Sequence, residues 1–392
     1  MKILMLLYKR FPPDIRVEKE GRVLQREGHE IFVIAKGGEK TMREYRGLKI
    51  IDVNPSVTDD IWFRVNFFRP FLFRRVREAI REHNIEIMHV HDLPLVKTGL
   101  KAAREFSIPI IADLHENYPA ATVCFGNDSL LYRLNNLVLT FNRYRKYEME
   151  MARNVDKIIV VVEEALTRFK NIINEDKISI ISNTVDLSEL NKFEIDSGVL
   201  ERYKDYFNFT YIGGFGSERG LDTTIRALKN TNSRNIRLLL VGKKHNLAHK
   251  IEKLAVKLGV REQVEFTGEV PFNKVPSYIM ASDVCLVPYN KSEHTQTTIP
   301  HKLFQYMAFK KPVLVSDVKP LKRIVDEIGC GLVFRSNNPI DMSTKMNKMV
   351  TMDSLEEMGL RGYEAVMNRY NWSKESGKLI ELYRAIQQGL KS

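Results

Sequence analysis

The chain has 392 residues, of which 44% are hydrophobic and 28% are charged. Its length exceeds what one ordinary hydrophobic core holds together, so we expect two domains. The composition is that of a folded globular protein and excludes a disordered chain. No apolar stretch approaches the roughly 20 residues that a membrane-spanning helix needs, which excludes an integral membrane protein.

The formal net charge of +12 indicates either an anionic partner or a basic surface that simply faces solvent. Nucleic acid, an anionic membrane surface and phosphorylated small molecules all carry the necessary negative charge. The sequence has no zinc-finger spacing, no aromatic RNA-binding signature and no basic helix-turn-helix pattern, so we expect no nucleic-acid partner. A membrane surface, a phosphorylated ligand and a solvated surface stay open.

The cysteines and the first residues indicate a cytoplasmic protein. Cys124, Cys285 and Cys330 lie far apart and match neither a zinc spacing nor a redox spacing, as expected for structural thiols in a reducing compartment. Residues 1–8 form a short apolar run that two basic residues interrupt before any cleavage site. We interpret this run as a first buried strand rather than a signal peptide.

Strand-like runs alternate with segments of helical periodicity. In the first half the strand-like runs are residues 2–8, 30–35, 48–53, 85–90, 108–113 and 157–162. A further strand over residues 178–181 precedes a charged stretch, after which the alternation restarts, so we place a hinge near residues 183–207. The runs of the second half are residues 209–213, 237–241, 264–266, 284–288, 312–316 and 331–334. Helices over about residues 354–369 and 373–388 follow.

This alternation predicts an α/β protein with two Rossmann-like domains, each built on a parallel sheet that helices cover. Ligands of such sheets bind outside the carboxyl ends of the strands. Motifs that directly follow strands are therefore the candidates for a binding site.

A glycine-rich turn follows the first strand of the second half. Residues 211–220 read Tyr-Ile-Gly-Gly-Phe-Gly-Ser-Glu-Arg-Gly and open a helix. Glycines let the main chain approach an anion, and a helix N-terminus adds aligned N–H groups and partial positive charge. Arg219 is a candidate phosphate contact. The segment is not a P-loop, because no Gly-Lys-Ser/Thr follows, and a tight turn without a ligand fits the same residues.

A second candidate segment, residues 297–308, reads Thr-Thr-Ile-Pro-His-Lys-Leu-Phe-Gln-Tyr-Met-Ala. Pro300 suits the first turn of a helix, which places Lys302 beside the N-terminal amides and Gln305 one turn further on. Lys302 would there hold a phosphate, and Gln305 would hydrogen-bond a hydroxyl group. An ordinary amphipathic helix explains the pattern equally well.

Together the two segments resemble family 4 glycosyltransferases, a large retaining family with the GT-B fold. That family has a glycine turn with Arg and Lys, and a later helix with a Glu-x7-Glu motif. In this chain Gly214 stands at the position of the usual Arg, and Arg219 at that of the Lys. The two Glu positions fall on Thr297 and Gln305, so both carboxylates are replaced. A glutamine still donates and accepts hydrogen bonds to a ribose hydroxyl, whereas the threonine is a weaker contact to the sugar or phosphates.

Further segments extend the resemblance in the family's order and spacing. Residues 27–34 are similar to its Gly-His-x-Val strand, residues 87–92 to its Asp-Ile-Ile-His-x-His strand end, residues 113–116 to its Asp-x-His-Glu turn, and residues 183–186 to its Asn-Gly-Val-Asp stretch. The family's Gly-Gly acceptor loop after the first strand is replaced here by residues 11–16, Phe-Pro-Pro-Asp-Ile-Arg.

The resemblance implies an acceptor-binding domain over residues 1–183 and a nucleotide-sugar-binding domain over residues 207–370, with parallel sheets that face a central cleft. The C-terminal helix, residues 373–392, is expected to pack back on the first domain. The implied reaction moves a sugar from a nucleoside diphosphate sugar, UDP- or GDP-linked, to a hydroxyl of a glycan or lipid-linked acceptor with retained configuration. Polysaccharide biosynthesis is the expected setting.

The implied site needs no cofactor and no metal ion, because cations of the protein stabilise the leaving diphosphate. His89 and His91 alternate on a strand without a third ligand at a suitable spacing, so we expect no metal there either. Catalytic roles fall on His115, Arg219 and Lys302, with His115 facing the donor sugar; a histidine that only caps a turn fits as well. The donor-binding set is Gly213, Gly214, Gly216, Arg219, Gly242, Thr297, Thr298, Lys302 and Gln305.

Three alternative functions stay open. The two replaced carboxylates favour a non-catalytic GT-B subunit that activates a partner. A GT-B nucleotide-sugar epimerase would use the same donor site without an acceptor. A nucleic-acid-binding protein rests on the charge alone.

Residues 62–81 are the candidate for contact with an anionic bilayer, at the inner face of the cell membrane. We expect aromatic residues in an entry loop: Trp62, Phe63, Phe67 and Phe68. A helix should follow with arginines on one face, Arg74, Arg77 and Arg81, and an apolar stripe on the other, Phe71, Leu72, Val76, Ala79 and Ile80. Basic residues near aromatic ones suit a membrane interface, while a solvated basic helix over an ordinary core fits equally.

Overall fold

The computed structural model describes residues 1–37, 42–54, 56–124, 140–190, 193–233, 235–243 and 246–389, without the side chains of residues 123, 124 and 246. The chain divides into two compact units. The first consists of Met1–Ser182 together with the chain from Glu375 onward, and the second of Asn183–Lys374. In the described part of the chain, no helix combines the length and the apolar character that crossing a bilayer requires.

The first unit is built on an eight-stranded sheet. Its strands are β1 Lys2–Arg10, β2 Glu30–Lys36, β3 Met42–Tyr45, β4 Leu48–Val53, β5 Ile87–His91, β6 Ile110–Asp113, β7 Lys157–Val160 and β8 Ile178–Ile180. Their order is β3-β4-β2-β1-β5-β6-β7-β8, and every pair is parallel except β3 with β4. The order reverses between β1 and β5, so the loops after these strands flank the crevice where such sheets bind ligands.

The core of the first unit is centred on β1. Ile3, Leu4, Met5 and Leu6 are fully buried. Because consecutive residues of a strand point to opposite faces, this run shows that both faces of the sheet are covered. The helices are α1 Ile15–Arg26, α2 Val57–Asn66, α3 Pro70–His83, α4 Leu93–Glu105, α5 Tyr118–Cys124 and α6 Phe141–Asn154.

The second unit is built on a six-stranded parallel sheet. Its strands are β9 Phe207–Ile212, β10 Ile236–Val241, β11 Val264–Gly268, β12 Val284–Val287, β13 Val313–Ser316 and β14 Gly331–Phe334, in the order β11-β10-β9-β12-β13-β14. This is the doubly wound order with its reversal between β9 and β12. Its helices are α7 Leu187–Leu190, α8 Ser197–Tyr203, α9 Leu221–Leu228, α10 Asn246–Leu258, α11 Val275–Met280, α12 His301–Ala308, α13 Lys319–Ile328, α14 Pro339–Val350 and α15 Leu355–Asn368.

The stretch predicted as a hinge, residues 183–207, forms part of the second unit. It contains α7 and α8, and Tyr203 on α8 packs against Leu239 and Val241 of β10. The boundary between the units lies earlier, after Ser182. The prediction rested on the charged residues of this stretch and overlooked its apolar residues, which pack against the sheet.

The last helix, α16, spans Trp372–Gly389, and from Glu375 it belongs to the first unit. The hydroxyl of Tyr383 lies 2.8 Å from Nδ1 of His89 on β5, and Arg384 donates to Glu27 at 2.9 Å. The predicted helix extended to residue 392, but residues 390–392 lie outside the described part.

The predicted entry loop before α3 is wrong, because α2 includes Trp62 and Phe63. Phe63 and Phe67 are buried core residues rather than surface aromatics. The predicted apolar stripe of α3 is correct for Leu72, Val76, Ala79 and Ile80, all of which are buried, but Phe71 is 42% exposed.

Cys285 and Cys330 are free, buried thiols. Burial raises the pKa of each to about 12, so neither is a thiolate at neutral pH. Both therefore suit the structural role expected of them, while the side chain of Cys124 lies outside the described part.

Candidate active site

The glycine turn after β9 is held by close main-chain packing. The amide of Gly213 donates to the carbonyl of Val241 at 2.8 Å. A Cβ atom on Gly242 would overlap the carbonyl of Gly213, and one on Gly220 would overlap the carbonyl of Pro288. These glycines are therefore required where the ends of neighbouring strands meet.

Three of the four glycines predicted to bind a donor lie in this turn, and they play different parts. A Cβ atom on Gly213, whose φ is +133°, would lie 2.7 Å from Nζ of Lys302, and one on Gly216 would overlap the carboxylate of Glu218. A Cβ atom on Gly214 would meet no atom within 4 Å. The hydroxyl of Tyr211 donates to the carbonyl of Gly214 at 2.6 Å and fixes the turn. Gly214 is thus the glycine with open space in front of it.

Lys302 carries its ammonium group over the ring of Tyr211, 3.9 Å from the centroid. Among the described residues no carboxylate lies within ion-pair distance of it. Burial, with added repulsion from Arg219, holds the pKa of Lys302 well below its usual range, and Glu218 opposes the shift only in part. A lysine in this setting is stabilised in its charged form by an anion that binds beside it.

Arg219 is the second cation of this group. Its Nε lies 2.7 Å from Oε1 of Glu218, and its guanidinium lies over the ring of Tyr289 at 4.5 Å. Lys302, Arg219 and Glu218 together carry one net positive charge when all three are ionised. The N-terminus of α12 adds partial positive charge, so this end of the sheet favours an anion.

Helix α12 is fixed to the sheet by Tyr306, whose hydroxyl accepts from the amide of Ile212 at 3.0 Å. Gln305 is half-buried, one turn after Lys302. The hydroxyl of Thr297 donates to the carbonyl of Glu293 at 2.8 Å, and that of Thr298 donates to the carbonyl of His294 at 2.9 Å. Both threonines therefore use their hydroxyl hydrogens within their own turn and present only oxygen lone pairs to a ligand.

On the first unit, His115 follows β6 and has a carboxylate near each ring nitrogen. Nε2 lies 3.2 Å from Asp92, and Nδ1 lies 3.4 Å from Asp113. Burial opposes protonation, but the two carboxylates outweigh it and raise the pKa of His115 to about 9. His115 is therefore a cation at neutral pH.

Beneath His115 lies a buried charge network. Nε of Arg16 lies 2.7 Å from Asp113 and 3.1 Å from Glu20, and all three side chains are almost fully buried. Burial works against ionisation of Asp113, yet Arg16 and His115 hold its pKa well below the usual range. Burial and the neighbouring Asp113 raise the pKa of Glu20, and Arg16 only partly offsets them. The network thus fixes Asp113 as the anion that supports His115.

The network reaches solvent through the ends of β1 and β5. Asp92 directly follows β5 with φ 72° and ψ 139°, a backbone conformation that costs an L-residue on the order of 1–3 kcal/mol. Its carboxylate lies 3.8 Å from Nζ of Lys9, which also pairs with Asp14 at 3.0 Å. The strained Asp92 is held where it meets both His115 and Lys9.

Glu20, His89, His91 and Asp113 offer ligand atoms that all lie within 4.8 Å of one another. The sequence prediction that the two histidines have no further potential ligand is therefore wrong, because α1 and β6 supply two. The guanidinium of Arg16 already pairs with both carboxylates and would repel a metal ion. The two imidazole rings are stacked at 4.4 Å with 15° between their planes, so one ion cannot lie in the plane of both. The group does not fit a metal ion.

Sequence reasoning missed Tyr211, Tyr289, Lys9 and Asp92 as members of these sites. Three of them follow or end strands next to the reversal of strand order, which is the signal that would have found them. Tyr211 lies inside β9 and is recognisable only from its contacts. The structure brings Gly213, Gly214, Arg219 and Lys302 together in the second unit, and places His115 in the first.

Both halves of the chain match known families. Residues 16–189 match the family model described as Glycosyltransferase Family 4, and residues 192–364 match Glycosyl transferases group 1. An uncharacterized glycosyltransferase of Methanocaldococcus jannaschii is 25% identical over 300 residues, which cover 76% of this chain and 75% of that protein.

Two solved structures share the fold. Sucrose-phosphate synthase from Thermosynechococcus elongatus has a TM-score of 0.80 at 15% identity, covering 99% of this chain and 100% of that one. HepE of Anabaena in complex with UDP-glucose has a TM-score of 0.76 at 13% identity, covering 98% and 100%. The protein is thus a glycosyltransferase with the GT-B fold. The two family matches, one on each half, support its assignment to family 4.

Proposed function

We propose that the protein transfers a sugar from a nucleoside diphosphate sugar to a hydroxyl group with retention of configuration. The observation that carries this proposal is Lys302, an ammonium group without a carboxylate partner among the described residues, which lies beside Arg219 and Gly213, with open space at the adjacent Gly214. Crowded cations of this kind are stabilised by an anion. The diphosphate of a nucleotide sugar supplies that anion, and the Anabaena protein of the same fold was solved with UDP-glucose.

In the proposed reaction the bond between the anomeric carbon and the diphosphate oxygen breaks. The acceptor oxygen bonds to the anomeric carbon on the same face, and its proton passes to the leaving diphosphate. Negative charge grows on that diphosphate as the bond breaks, so preorganised cations stabilise the transition state more than the ground state. We assign this role to Lys302, Arg219 and the amides of the glycine turn.

The nucleotide is assigned to the remaining residues of the donor set. Gln305 would hydrogen-bond the ribose, and the hydroxyl oxygens of Thr297 and Thr298 would accept from the sugar or the nucleotide. Gly242 would contribute by letting the main chain of Gly213 pack closely, and Gly216 by making room for Glu218. The donor is expected to be UDP- or GDP-linked.

His115 is assigned to the donor sugar by its resemblance to the family turn. Since carboxylates flank both ring nitrogens and raise its pKa to about 9, its contribution at neutral pH is positive charge. It is therefore not proposed as the base that deprotonates the acceptor. The leaving diphosphate is proposed to accept the proton of the acceptor hydroxyl.

The acceptor is proposed to be a hydroxyl of a glycan or of a lipid-linked molecule, in polysaccharide biosynthesis on the cytoplasmic side of the membrane. A lipid-linked acceptor would bring the protein to an anionic membrane surface. The proposal includes neither nucleic acid, nor a metal ion, nor a cofactor.

The test begins with thermal unfolding in the presence of UDP-, GDP- and ADP-sugars, followed by a transfer assay with the stabilising donor. Lys302→Ala and Arg219→Ala should each lower turnover by one to three orders of magnitude, about 1.4 kcal/mol per tenfold. Lys322→Ala is the matched control, because that lysine of the same unit is exposed and pairs with Asp326.

Full transfer activity in a folded Lys302→Ala, Arg219→Ala double variant would overturn the assignment of the diphosphate site. A donor that binds without hydrolysis or transfer would instead indicate a non-catalytic subunit. A product that is an epimer of the donor sugar would indicate an epimerase.

A further inference from the structure

Helix α2 exposes a continuous apolar face, formed by Val57, Ile61, Trp62 and Val65 and called here the α2 face. These side chains are exposed by 78%, 57%, 48% and 61%. With 3.6 residues per turn, residues spaced by four lie above one another, so the first, second and fourth form one row and the tryptophan lies beside it. Single exposed apolar residues are ordinary, but a contiguous group of this size marks an interaction surface.

The opposite side of α2 fixes the helix in place. Its buried residues are Asp59 and Phe63. The carboxylate of Asp59 accepts from the amides of Phe71 and Leu72, at 2.7 and 3.0 Å, at the start of α3. Phe63 packs edge-on against Phe67 with ring centroids 5.6 Å apart. Because these contacts fix the orientation of α2, the α2 face is exposed in the folded protein and not only when the helix frays.

Cations surround the C-terminal end of α2. The guanidinium of Arg143 donates to the carbonyl oxygens of Arg64, at 2.7 Å, and Val65. The ammonium of Lys97 donates to the carbonyl of Asn66 at 2.8 Å. Arg64 itself is exposed on α2. These groups bring positive charge to one edge of the α2 face.

The carboxylates of α2 do not offset this charge. Asp59 is buried against the start of α3, and Asp60 pairs with Arg69 at 2.7 Å. On α3, Arg74 lies over the exposed ring of Phe71 at 5.2 Å, but it also lies 3.5 Å from Glu78, which offsets its charge. An apolar face with cations at its edge is complementary to a bilayer with anionic headgroups, where acyl chains meet the apolar side chains and phosphates meet the arginines.

We propose that the α2 face inserts into the interfacial region of an anionic bilayer, with Arg64 and Arg143 contacting the lipid headgroups. This moves the membrane contact away from the arginine face predicted from the sequence. Arg77 and Arg81 of α3 lie 2.6 and 3.6 Å from Glu105, which neutralises part of their charge. Membrane binding of this kind does not depend on the proposed transferase reaction.

Trp62 provides a direct reporter. The chain has two tryptophans, and Trp372 is buried while Trp62 is 48% exposed. In a Trp372→Phe variant of the full chain, the tryptophan fluorescence therefore comes from Trp62 alone. Vesicles of phosphatidylcholine with phosphatidylglycerol should shift this emission to the blue, and acyl-chain bromination should quench it. Vesicles of phosphatidylcholine alone should do neither, and salt should weaken the effect.

Co-sedimentation with the same vesicles tests the face itself. Ile61→Ser with Val65→Ser should weaken binding at least tenfold. The matched control is Val256→Ser with Ile340→Ser, which removes two exposed apolar residues of the second unit, each 61% exposed. The control should bind as the parent protein does, and circular dichroism should show that both variants remain folded.

Three results would overturn the proposal. One is equal binding of the parent protein to neutral and anionic vesicles, or binding to neither. Another is unchanged binding of the Ile61→Ser, Val65→Ser variant. The third is a concentration-dependent dimer, seen by analytical ultracentrifugation and lost in that variant, which would make the α2 face a contact between copies of the chain. None of these results depends on whether a sugar is transferred.

Discussion

Gln305 is the residue through which the proposed donor site is most directly tested. Under the proposal its amide holds a ribose hydroxyl, a neutral hydrogen bond worth about 0.5–1.5 kcal/mol. Gln305→Ala should therefore raise the KM for the donor about three- to tenfold. Gln305→Glu should cost less, because a carboxylate still accepts from a ribose hydroxyl and is the residue that the family motif carries. An inactive Gln305→Glu beside an active Gln305→Ala, in a steady-state transfer assay, would contradict this assignment.

The charge of His115 should appear in the pH dependence of stability. Its carboxylate neighbours raise its pKa from an ordinary 6.5 to about 9 in the folded protein. Folding therefore favours the protonated ring, and the resulting stabilisation is complete below pH 6.5 and is lost as the pH rises to 9. Burial holds the pKa of His89 well below its ordinary value. The contribution of His89 to the pH dependence of stability therefore has the opposite sign, and it applies below pH 6.5.

Urea unfolding monitored by circular dichroism from pH 6 to 9.5 measures this loss. Relative to His115→Gln, the parent protein should lose free energy of unfolding as the pH rises across this range, while the contribution of Lys302, whose lowered pKa gives the opposite sign, is common to both proteins. Asp92→Asn should reduce this loss in part, because it removes one of the two carboxylates. A His115→Gln variant with the same slope as the parent protein would show that another group is responsible.

At the scale of residues, the sequence predicted those site residues whose positions depend on nearby turns and helix starts. The glycines of the turn, Arg219 and Lys302 follow strand ends or start helices, which made each segment a candidate, and the resemblance to family 4 joined the two segments into one site. The positions of Tyr289 and Asp92 after strand ends could have marked them as candidates, but their contacts with Arg219 and His115 form only after distant strands pair and could not be predicted. The charge of His115 likewise depends on Asp92, Asp113 and Arg16, from three separate elements.

At the scale of elements, two neighbouring glycines of the turn have different functions: Gly213 supports the fold, and Gly214 is proposed to leave space for the donor. Gly213→Ala places a methyl group 2.7 Å from Nζ of Lys302 on a backbone with φ +133°, which should cost on the order of 1–3 kcal/mol. It should lower both the melting temperature and donor affinity. Gly214→Ala meets no atom within 4 Å. It should leave the melting temperature unchanged and still weaken the donor, because the diphosphate is proposed to occupy that space.

Thermal unfolding with and without the stabilising nucleotide sugar distinguishes the two variants. A Gly214→Ala protein that binds the donor as tightly as the parent would show that the open side of the turn is not the diphosphate site. A Gly213→Ala protein with unchanged stability would mean that Lys302 moves aside without cost.

Periodicity predicted the buried strands within two residues at either end, because continuous apolar runs are what a covered parallel sheet requires. It missed β3, Met-Arg-Glu-Tyr, whose side chains are mostly exposed on the sheet edge and show no alternation. It also missed α2, whose outward side is as apolar as its inward side. A helix that buries Asp59 and exposes an apolar row beside Asp60 and Arg64 has only a weak amphipathic signal, and the same exposed apolar row forms the α2 face.

At the scale of the whole molecule, the chain returns to its first unit at the end. The strand pattern stops near residue 182 and restarts after a charged stretch, which predicted two halves, but no pattern in that stretch distinguishes a linker from packed helices. Only tertiary contacts, such as Tyr203 against β10, assign that stretch to the second unit. The return of the last helix was implied by the resemblance rather than by the residues of α16 themselves.

This return makes a truncation informative. From Glu375 onward α16 belongs to the first unit, where Leu379, Leu382, Tyr383 and Ile386 are buried. Burying a large apolar side chain contributes about 1.5–3 kcal/mol, so the four contribute on the order of 6–12 kcal/mol. That is comparable to the whole stability of a typical domain, about 5–15 kcal/mol. A chain ending at Lys374 should therefore have an unfolded first unit.

Calorimetry and hydrogen exchange should show the loss of protection confined to residues 1–182, with the second unit still stabilised by the donor sugar. Tyr383→Phe is the control, since it removes only the hydroxyl that meets His89 at 2.8 Å. It should cost about 1–3 kcal/mol for the buried ring nitrogen left unpaired, and the first unit should remain folded. A truncated chain in which β1 and β5 keep their full protection would show that α16 covers the first unit without stabilising it.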